Sequence, residues 1–284
     1  MTCAPDSARI DSGTAPLLER TSVLGNDRVA TGVGLLALHA PRIAASVRPG
    51  QFVHLRVNEG GEAILRRPFS VHVVRDERIE ILYQIVGRGT LELAAKRPGD
   101  VMDALGPLGH GWEVPESVSH ALLVAGGLGA APMGLLAEQL AGRGVAVSVA
   151  LGAPNAERLV ARDLLDRASR RLAVATDDGS EGVHGFVTVL AEQLMVADRP
   201  DIVCACGPEV MSRSVAALAD AAGVRCLVSL ERLMACGIGA CLSCVVTTVD
   251  GRKRACVDGP VFDAADVVWD DAEVPPRHTG EVRV

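Results

Sequence analysis

Cys236, Cys241, Cys244 and Cys256 are separated by four, two and eleven residues in the stretch MACGIGACLSCVVTTVDGRKRAC. C-x4-C-x2-C with a distant fourth cysteine is the spacing of plant-type [2Fe–2S] centres. Three thiolates can wrap one side of a small inorganic core, and the fourth closes it after a strand and turn. Gly237, Gly239 and Ala240 keep the first loop narrow enough for backbone N–H groups to approach sulfur. Structural zinc is the competing reading, since four thiolates also hold that ion tetrahedrally. The four-residue first gap argues against it, because zinc sites use short pairs with about two intervening residues. A disulfide framework is the weakest reading for thiols clustered in one short piece of a long chain.

Two further polar signals lie upstream, Arg66-Arg67-Pro68-Phe69-Ser70 and Val86-Gly87-Arg88-Gly89-Thr90. The second ends a strand and enters a helix expected over residues 90–95. Thr90 can cap that helix, and the glycines leave its first N–H groups open to a phosphate. Arg67 can clamp the same pyrophosphate with its guanidinium. Each signal alone reads equally as an ordinary solvated turn or helix cap.

Gly126-Gly127-Leu128-Gly129-Ala130-Ala131-Pro132-Met133 occupies a strand-to-helix crossing where a dinucleotide diphosphate can lie over the helix N-terminus. It departs from G-x-G-x-x-G because Pro132 stands in the last glycine's place, so a tight turn is its plain alternative. Thr176-Asp177-Asp178-Gly179-Ser180 and Cys206-Gly207-Pro208 follow later strands, and sheets of this kind bind ligands outside the carboxyl ends of their strands. Cys204 and Cys226 read as small buried residues.

The elements that must hold these segments fall into three regions. Short strands expected at 29–38, 51–57, 69–75 and 78–86 give a small antiparallel β-barrel over residues 17–115. Continuous apolar strands at 121–125, 145–151, 172–176, 201–205 and 224–229 follow. They alternate with helices at 133–141, 156–168, 186–197 and 209–222. This pattern gives a parallel sheet covered on both faces over residues 116–225. Residues 226–284 form a small cluster domain with a hairpin turn at Asp250-Gly251 and a polar tail; residues 1–16 read as a flexible tail. The expectation is thus a multidomain chain.

Composition narrows the functions. Seven aromatics in 284 residues leave little for base stacking, and a net charge of −7 opposes a nucleic-acid footprint. No apolar run reaches the ~20 residues of a membrane span, and the N-terminus lacks a signal-peptide pattern. A reducing cytoplasm is therefore expected. Arg252, Lys253 and Arg254 form a basic run near the fourth cysteine, read as a solvated turn or a patch for an acidic partner.

Arg67-Pro68-Phe69-Ser70 with Gly87-Arg88-Gly89-Thr90 resembles the FAD-binding pair of the ferredoxin–NADP reductase superfamily. The resemblance implies that Ser70 lies near the flavin ring and that Leu82-Tyr83-Gln84 form a further flavin contact. Tyr83 reads alternatively as a core residue with a satisfied hydroxyl. The glycine loop resembles the superfamily's nicotinamide loop, implying contacts from Gly127, Gly129, Ala130 and Pro132. Cys206-Gly207-Pro208 resembles its Cys-Gly-Pro motif, which makes Cys206 the candidate active-site side chain.

ERLMACGIGACLSCVV together with RACVDGPVF resembles, more closely, the electron-transfer subunits of class 1B dihydroorotate dehydrogenase, over residues 17–269. Those subunits imply FAD, a [2Fe–2S] cluster, NAD(H) as diffusible co-substrate, and an FMN-containing catalytic partner in a heterotetramer. Pro154 departs from the pattern, since relatives often carry a basic residue there, and NADH is expected on resemblance. Two alternatives are the small subunit of an NADPH-dependent ferredoxin oxidoreductase or sulfide dehydrogenase, and a zinc-stabilised regulatory scaffold without turnover.

Overall fold

The computed structural model describes residues 15–57 and 65–269. Cys3, most of the expected N-terminal tail and the polar C-terminal tail past Trp269 lie outside the described residues.

The first lobe runs β1 (Leu17–Ala30), β2 (Val33–His39), α1 (Pro41–Ala44), β3 (Phe52–Arg56), β4 (Arg67–Ser70), β5 (Val73–Arg75), β6 (Arg78–Gln84), α2 (Arg88–Ala94) and β7 (Val101–Leu108). Among the described residues its strands form one antiparallel sheet in the order β4-β3-β7-β1-β2-β6-β5. Between its edge strands, Val71 N–H donates to Gln51 and His72 N–H donates to Glu80, so the chain passes from one sheet edge to the other. Val53, Leu55, Ile79, Ile81 and Tyr83 fill the concave side. The strand expected over 29–38 is instead two, because the Thr31-Gly32 turn, with Gly32 at φ 71°, folds the chain back on itself.

The second lobe runs β8 (His120–Gly126), α3 (Met133–Gly142), β9 (Ala146–Ala153), α4 (Arg162–Ala168), β10 (Arg171–Thr176), β11 (Val183–His184), α5 (Val187–Asp198), β12 (Ile202–Cys206), α6 (Glu209–Ala221) and β13 (Arg225–Ser229). These strands are parallel, and β8, β9 and β12 are buried along nearly their whole length, as a sheet covered on both faces requires. The helix expected over 156–168 is broken: a 3-10 turn at Ala156–Arg158 precedes α4, with Ala161 in the left-handed region between them.

The C-terminal segment adds β14 (Val245–Thr248), β15 (Gly251–Arg254) and β16 (Val261–Asp263). β14 and β15 form the expected hairpin, whereas β16 returns to pair antiparallel with β13 and makes the large sheet mixed. The expected joint at 225/226 therefore falls inside β13, whose five residues all pair with β12. The C-terminal cysteine segment is an insertion between β13 and the edge strand β16, and Cys244, Val246, Cys256 and Phe262 share a core with Val228, Val203, Phe52 and Leu108. No helix of the described residues is long and apolar enough to cross a membrane.

Candidate functional site

β4 presents Arg67–Ser70 at a sheet edge through pairing with β3, with Phe52 opposite Ser70 and His54 opposite Pro68. Strand alternation turns Val53 and Leu55 into the core and leaves Phe52, His54, Pro68 and Ser70 on the outer face. α2 begins at Arg88, two residues before the expected start, so Thr90 sits inside the first turn. Its hydroxyl accepts from the Val86 and Gly87 N–H groups at 2.9 and 3.1 Å and donates to the Gly87 carbonyl. The N–H groups of Gly89 and Thr90 precede the first helical bond, from Leu91 N–H to Gly87, and point toward the space where phosphate oxygens can approach. A β-carbon at Gly89 would lie 3.1 Å from Arg67 Nε, which shows that the two sequence signals meet.

Of the third expected segment, Gln84 is exposed, Leu82 is buried with the second lobe's core, and Tyr83 is buried with its hydroxyl donating to Asn26 Oδ1 at 2.8 Å. Asn26 in turn donates to the Leu93 and Lys96 carbonyls, tying β1 to the end of α2. Tyr83 thus has the satisfied core environment that was its plain alternative.

In the second lobe a 3-10 turn at Gly127–Ala130 joins β8 to Pro132, which caps α3. Gly127 has φ 55° and open space around it, whereas Gly129 packs against Cys206 and Gly207. Cys206 ends β12, and Pro208 caps α6. Met211 fills the angle between them, since β-carbons at Gly126 and Gly207 would meet its thioether. This wedge carries no motif signal in the sequence. Burial pushes the Cys206 thiol up to about 12, so it is a neutral group facing the end of the sheet. Burial likewise raises the Cys204 and Cys226 thiols, as expected of core residues. Asn155, Asp178 and Ser180 lie at the same carboxyl edge, where Ser180 Oγ accepts from the Ala156 N–H at 2.8 Å.

The four cluster cysteines are linked through backbone donors. Ile238 and Cys241 N–H point at Cys236 Sγ (3.5 and 3.4 Å), Gly239 N–H at Cys256 Sγ (3.2 Å), and Cys256 N–H at Cys244 Sγ (3.4 Å). Such donors favour thiolates, and they bring Cys236 down to about 7 against the opposing effect of its partial burial. Gly237 and Gly239 have φ 72° and 81°, so the narrow loop does need glycine. Thiols met by backbone N–H donors are the chemistry an iron–sulfur centre requires, although among the described residues no three metal-ligating side chains converge on one metal position. Arg254, expected as part of a solvated basic run, is instead held by Asp258, whose carboxylate accepts from Arg254 N–H (2.6 Å) and Nε (3.1 Å).

Three histidines join the regions and were not singled out from sequence. His72 Nδ1 lies 2.7 Å from the Ala131 carbonyl beside the glycine loop, and His110 Nδ1 lies 2.6 Å from the Val257 carbonyl beside Cys256. His54 reaches the cluster loop at Gly237. A lone histidine has no spacing partner in the sequence, so only the fold reveals these contacts.

The family profile described as the iron–sulfur cluster binding domain of dihydroorotate dehydrogenase B matches residues 231–268. The chain is 38% identical over 254 residues to the dihydroorotate dehydrogenase B (NAD(+)) electron transfer subunit of Desulforamulus reducens, covering 87% of this chain and 97% of that protein. It is 39% identical to the Bacillus caldolyticus subunit of the same name, covering 88% and 98%. Among solved structures, an NADH-dependent reduced ferredoxin-NADP oxidoreductase, described in work on flavin-based electron bifurcation, superposes with TM-score 0.81. It is 33% identical, covering 88% of this chain and 90% of that one. This identity over nearly the whole length of both chains establishes that the chain belongs to the family of dihydroorotate dehydrogenase B (NAD(+)) electron transfer subunits.

Proposed function

We propose that the chain is the NAD-linked electron-transfer subunit of a dihydroorotate dehydrogenase system in pyrimidine biosynthesis. It binds FAD and a [2Fe–2S] cluster, exchanges electrons with diffusible NAD(H), and serves a separate FMN-containing catalytic subunit. When bound, FAD exchanges electron pairs with nicotinamide and single electrons with the cluster. The observation that carries this reading is the meeting of the three binding regions: His72 joins the flavin sheet to the glycine loop, and His54 joins it to the cluster loop.

The chain's own residues supply alignment. Arg67 and the open amides of α2 hold the FAD pyrophosphate, Pro68, Phe69 and Ser70 border the flavin ring, and Leu82 and Gln84 flank it from β6. Gly127, Gly129, Ala130 and Pro132 receive the nicotinamide diphosphate, while Cys206, Gly207 and Pro208 position the nicotinamide ring. Cys236, Cys241, Cys244 and Cys256 ligate the cluster. No general base is required, and Cys206 acts as a neutral, shape-defining contact. The Val71–His72 amides, bonded to opposite sheet edges, support a flavin sheet closed into a barrel. The nicotinamide domain is best taken to include all of β13, with the cluster domain inserted after it.

Leu233, Ile238 and Leu242 are 79%, 56% and 63% exposed around the cluster loop, an apolar rim suited to the catalytic subunit. The assembly is a heterotetramer with two copies of each subunit, acting in the cytoplasm. The physiological direction runs from dihydroorotate through FMN, the cluster and FAD to NAD+.

A second reading, a subunit of a ferredoxin oxidoreductase, is favoured by the 33% identity to the solved reductase. Anaerobic reconstitution separates them. Addition of the FMN-containing dihydroorotate dehydrogenase catalytic subunit should give dihydroorotate-dependent NADH formation. Turnover only with reduced ferredoxin would transfer the assignment to the second reading.

A further inference from the structure

His54 is fully buried, and neither ring nitrogen has a hydrogen-bond partner. The other buried histidine, His72, is bonded, as is the half-buried His110. Buried polar groups are paired in folded proteins, so an orphan imidazole marks a place where something else completes the site. The fold defines that place. β3 turns His54 to the outer face, opposite Pro68 and on the same face as Ser70, which puts it on the flavin side of the sheet. From the other direction, Gly237 of the cluster loop closes over it: a β-carbon there would lie 2.7 Å from both Cε1 and Nδ1. Gly237 directly follows Cys236, and Phe52, edge-on to the His54 ring at 5.8 Å, belongs to the core that holds Cys244 and Cys256. The imidazole therefore stands between the flavin face and the cluster loop, with its Nδ1 edge toward the loop.

We propose that His54 is a positioning residue of the passage between flavin and cluster, its Nδ1–H directed at the sulfur atoms held at the Cys236 end of the loop. The inference rests on the FAD and [2Fe–2S] reading given above. Burial and the neighbouring Arg66 and Arg67 keep the ring neutral, so it offers one donor and adds no charge. Hydrogen bonds to cluster sulfur stabilise the reduced centre and raise its potential. The contact also explains why position 237 has no side chain.

The test is spectroelectrochemical titration of the full chain as wild type, His54→Leu, His54→Asn and His54→Gln. His54→Leu should shift the cluster midpoint potential downward and alter the EPR signal of the reduced cluster, while FAD content and flavin potential stay as in the wild type. Asparagine places a donor near Nδ1 and should restore the wild-type value; glutamine, which reaches instead toward Nε2, should not. If the leucine variant fails to fold, the asparagine–glutamine comparison decides, and equal potentials in those two overturn the proposal. An unchanged cluster potential in His54→Leu, or an equal shift of the flavin potential, also overturns it. Wild-type protein lacking flavin and cluster absorption would instead overturn the cofactor reading beneath it.

Discussion

Gly129 rests on the backbone of Cys206: a β-carbon there would overlap the Cys206 carbonyl and lie 2.7 Å from Gly207 N. The glycine loop and the Cys-Gly-Pro turn are thus one packed unit, although 76 residues lie between Gly129 and Cys206 in the sequence. Gly129→Ala must push the two apart, at a cost of about 1–3 kcal/mol by the usual toll of overpacking. We predict a lower melting temperature and a raised KM for NADH with FAD content retained. Gly127→Ala meets no neighbour and faces only the left-handed backbone penalty of about 1–2 kcal/mol. Equal KM values for wild type and Gly129→Ala would contradict the packed unit.

Burial opposes the Cys206 thiolate and pushes the thiol up to about 12, so the group is neutral near pH 7. Cys206→Ala should keep FAD and slow flavin reduction by NADH in stopped flow. The wild-type rate should show no thiol titration between pH 7 and pH 9. Alkylation of the native protein by iodoacetamide at Cys206, or a rate unchanged in Cys206→Ala, would remove its role.

Cys241, proposed as a cluster ligand, is exposed, and its backbone N–H also serves Cys236 Sγ. Cys241→Ser should abolish or alter the EPR signal of the reduced cluster while sparing NADH-driven bleaching of the flavin. An unaltered signal would count against this ligand.

The parallel strands were legible because burial on both faces leaves nearly continuous apolar runs, as in His120–Gly126 and Ile202–Cys206. The iron–sulfur segment was legible because C-x4-C-x2-C is a spacing with a chemical meaning, and the matched profile covers it. β1 and β7 were not: β1 is half exposed and polar along much of its length, and glycine and proline interrupt β7. β16 is three residues long, and nothing local tells it to return to β13. Thr90 was recognised as serving the first turn of α2, but extended Gly87 moved the helix start to Arg88. Tyr83 was half legible, since its aromatic ring fits both a flavin contact and a core position.

Tyr83→Phe tests that division. It removes the bond to Asn26 Oδ1, which should destabilise the fold by about 1 kcal/mol with FAD occupancy unchanged. Loss of FAD from a folded Tyr83→Phe protein would show that the hydroxyl serves the flavin instead.

His54 also gives stability a pH dependence of definite sign. Burial, Arg66 and Arg67 lower it to about 4 in the fold, whereas an unfolded chain's histidine takes up a proton near 6.5. Between those values the unfolded state binds more protons, so the stability present above pH 6.5 drains away as the pH falls toward 4. His54→Asn should lack this component, making its loss between pH 7 and pH 5 smaller by up to about 2 kcal/mol. Denaturant midpoints at the two pH values measure the difference. The same loss in both proteins would contradict a neutral, buried His54.

The relay itself is tested most directly by anaerobic titration of the purified chain with NADH, followed by visible absorption and EPR on the same samples. The account predicts bleaching of the flavin band together with the appearance of a reduced [2Fe–2S] signal, both abolished when FAD is removed. Flavin that bleaches while an intact cluster stays oxidised, even though its potential lies within reach of NADH, would contradict a continuous path from nicotinamide through flavin to iron.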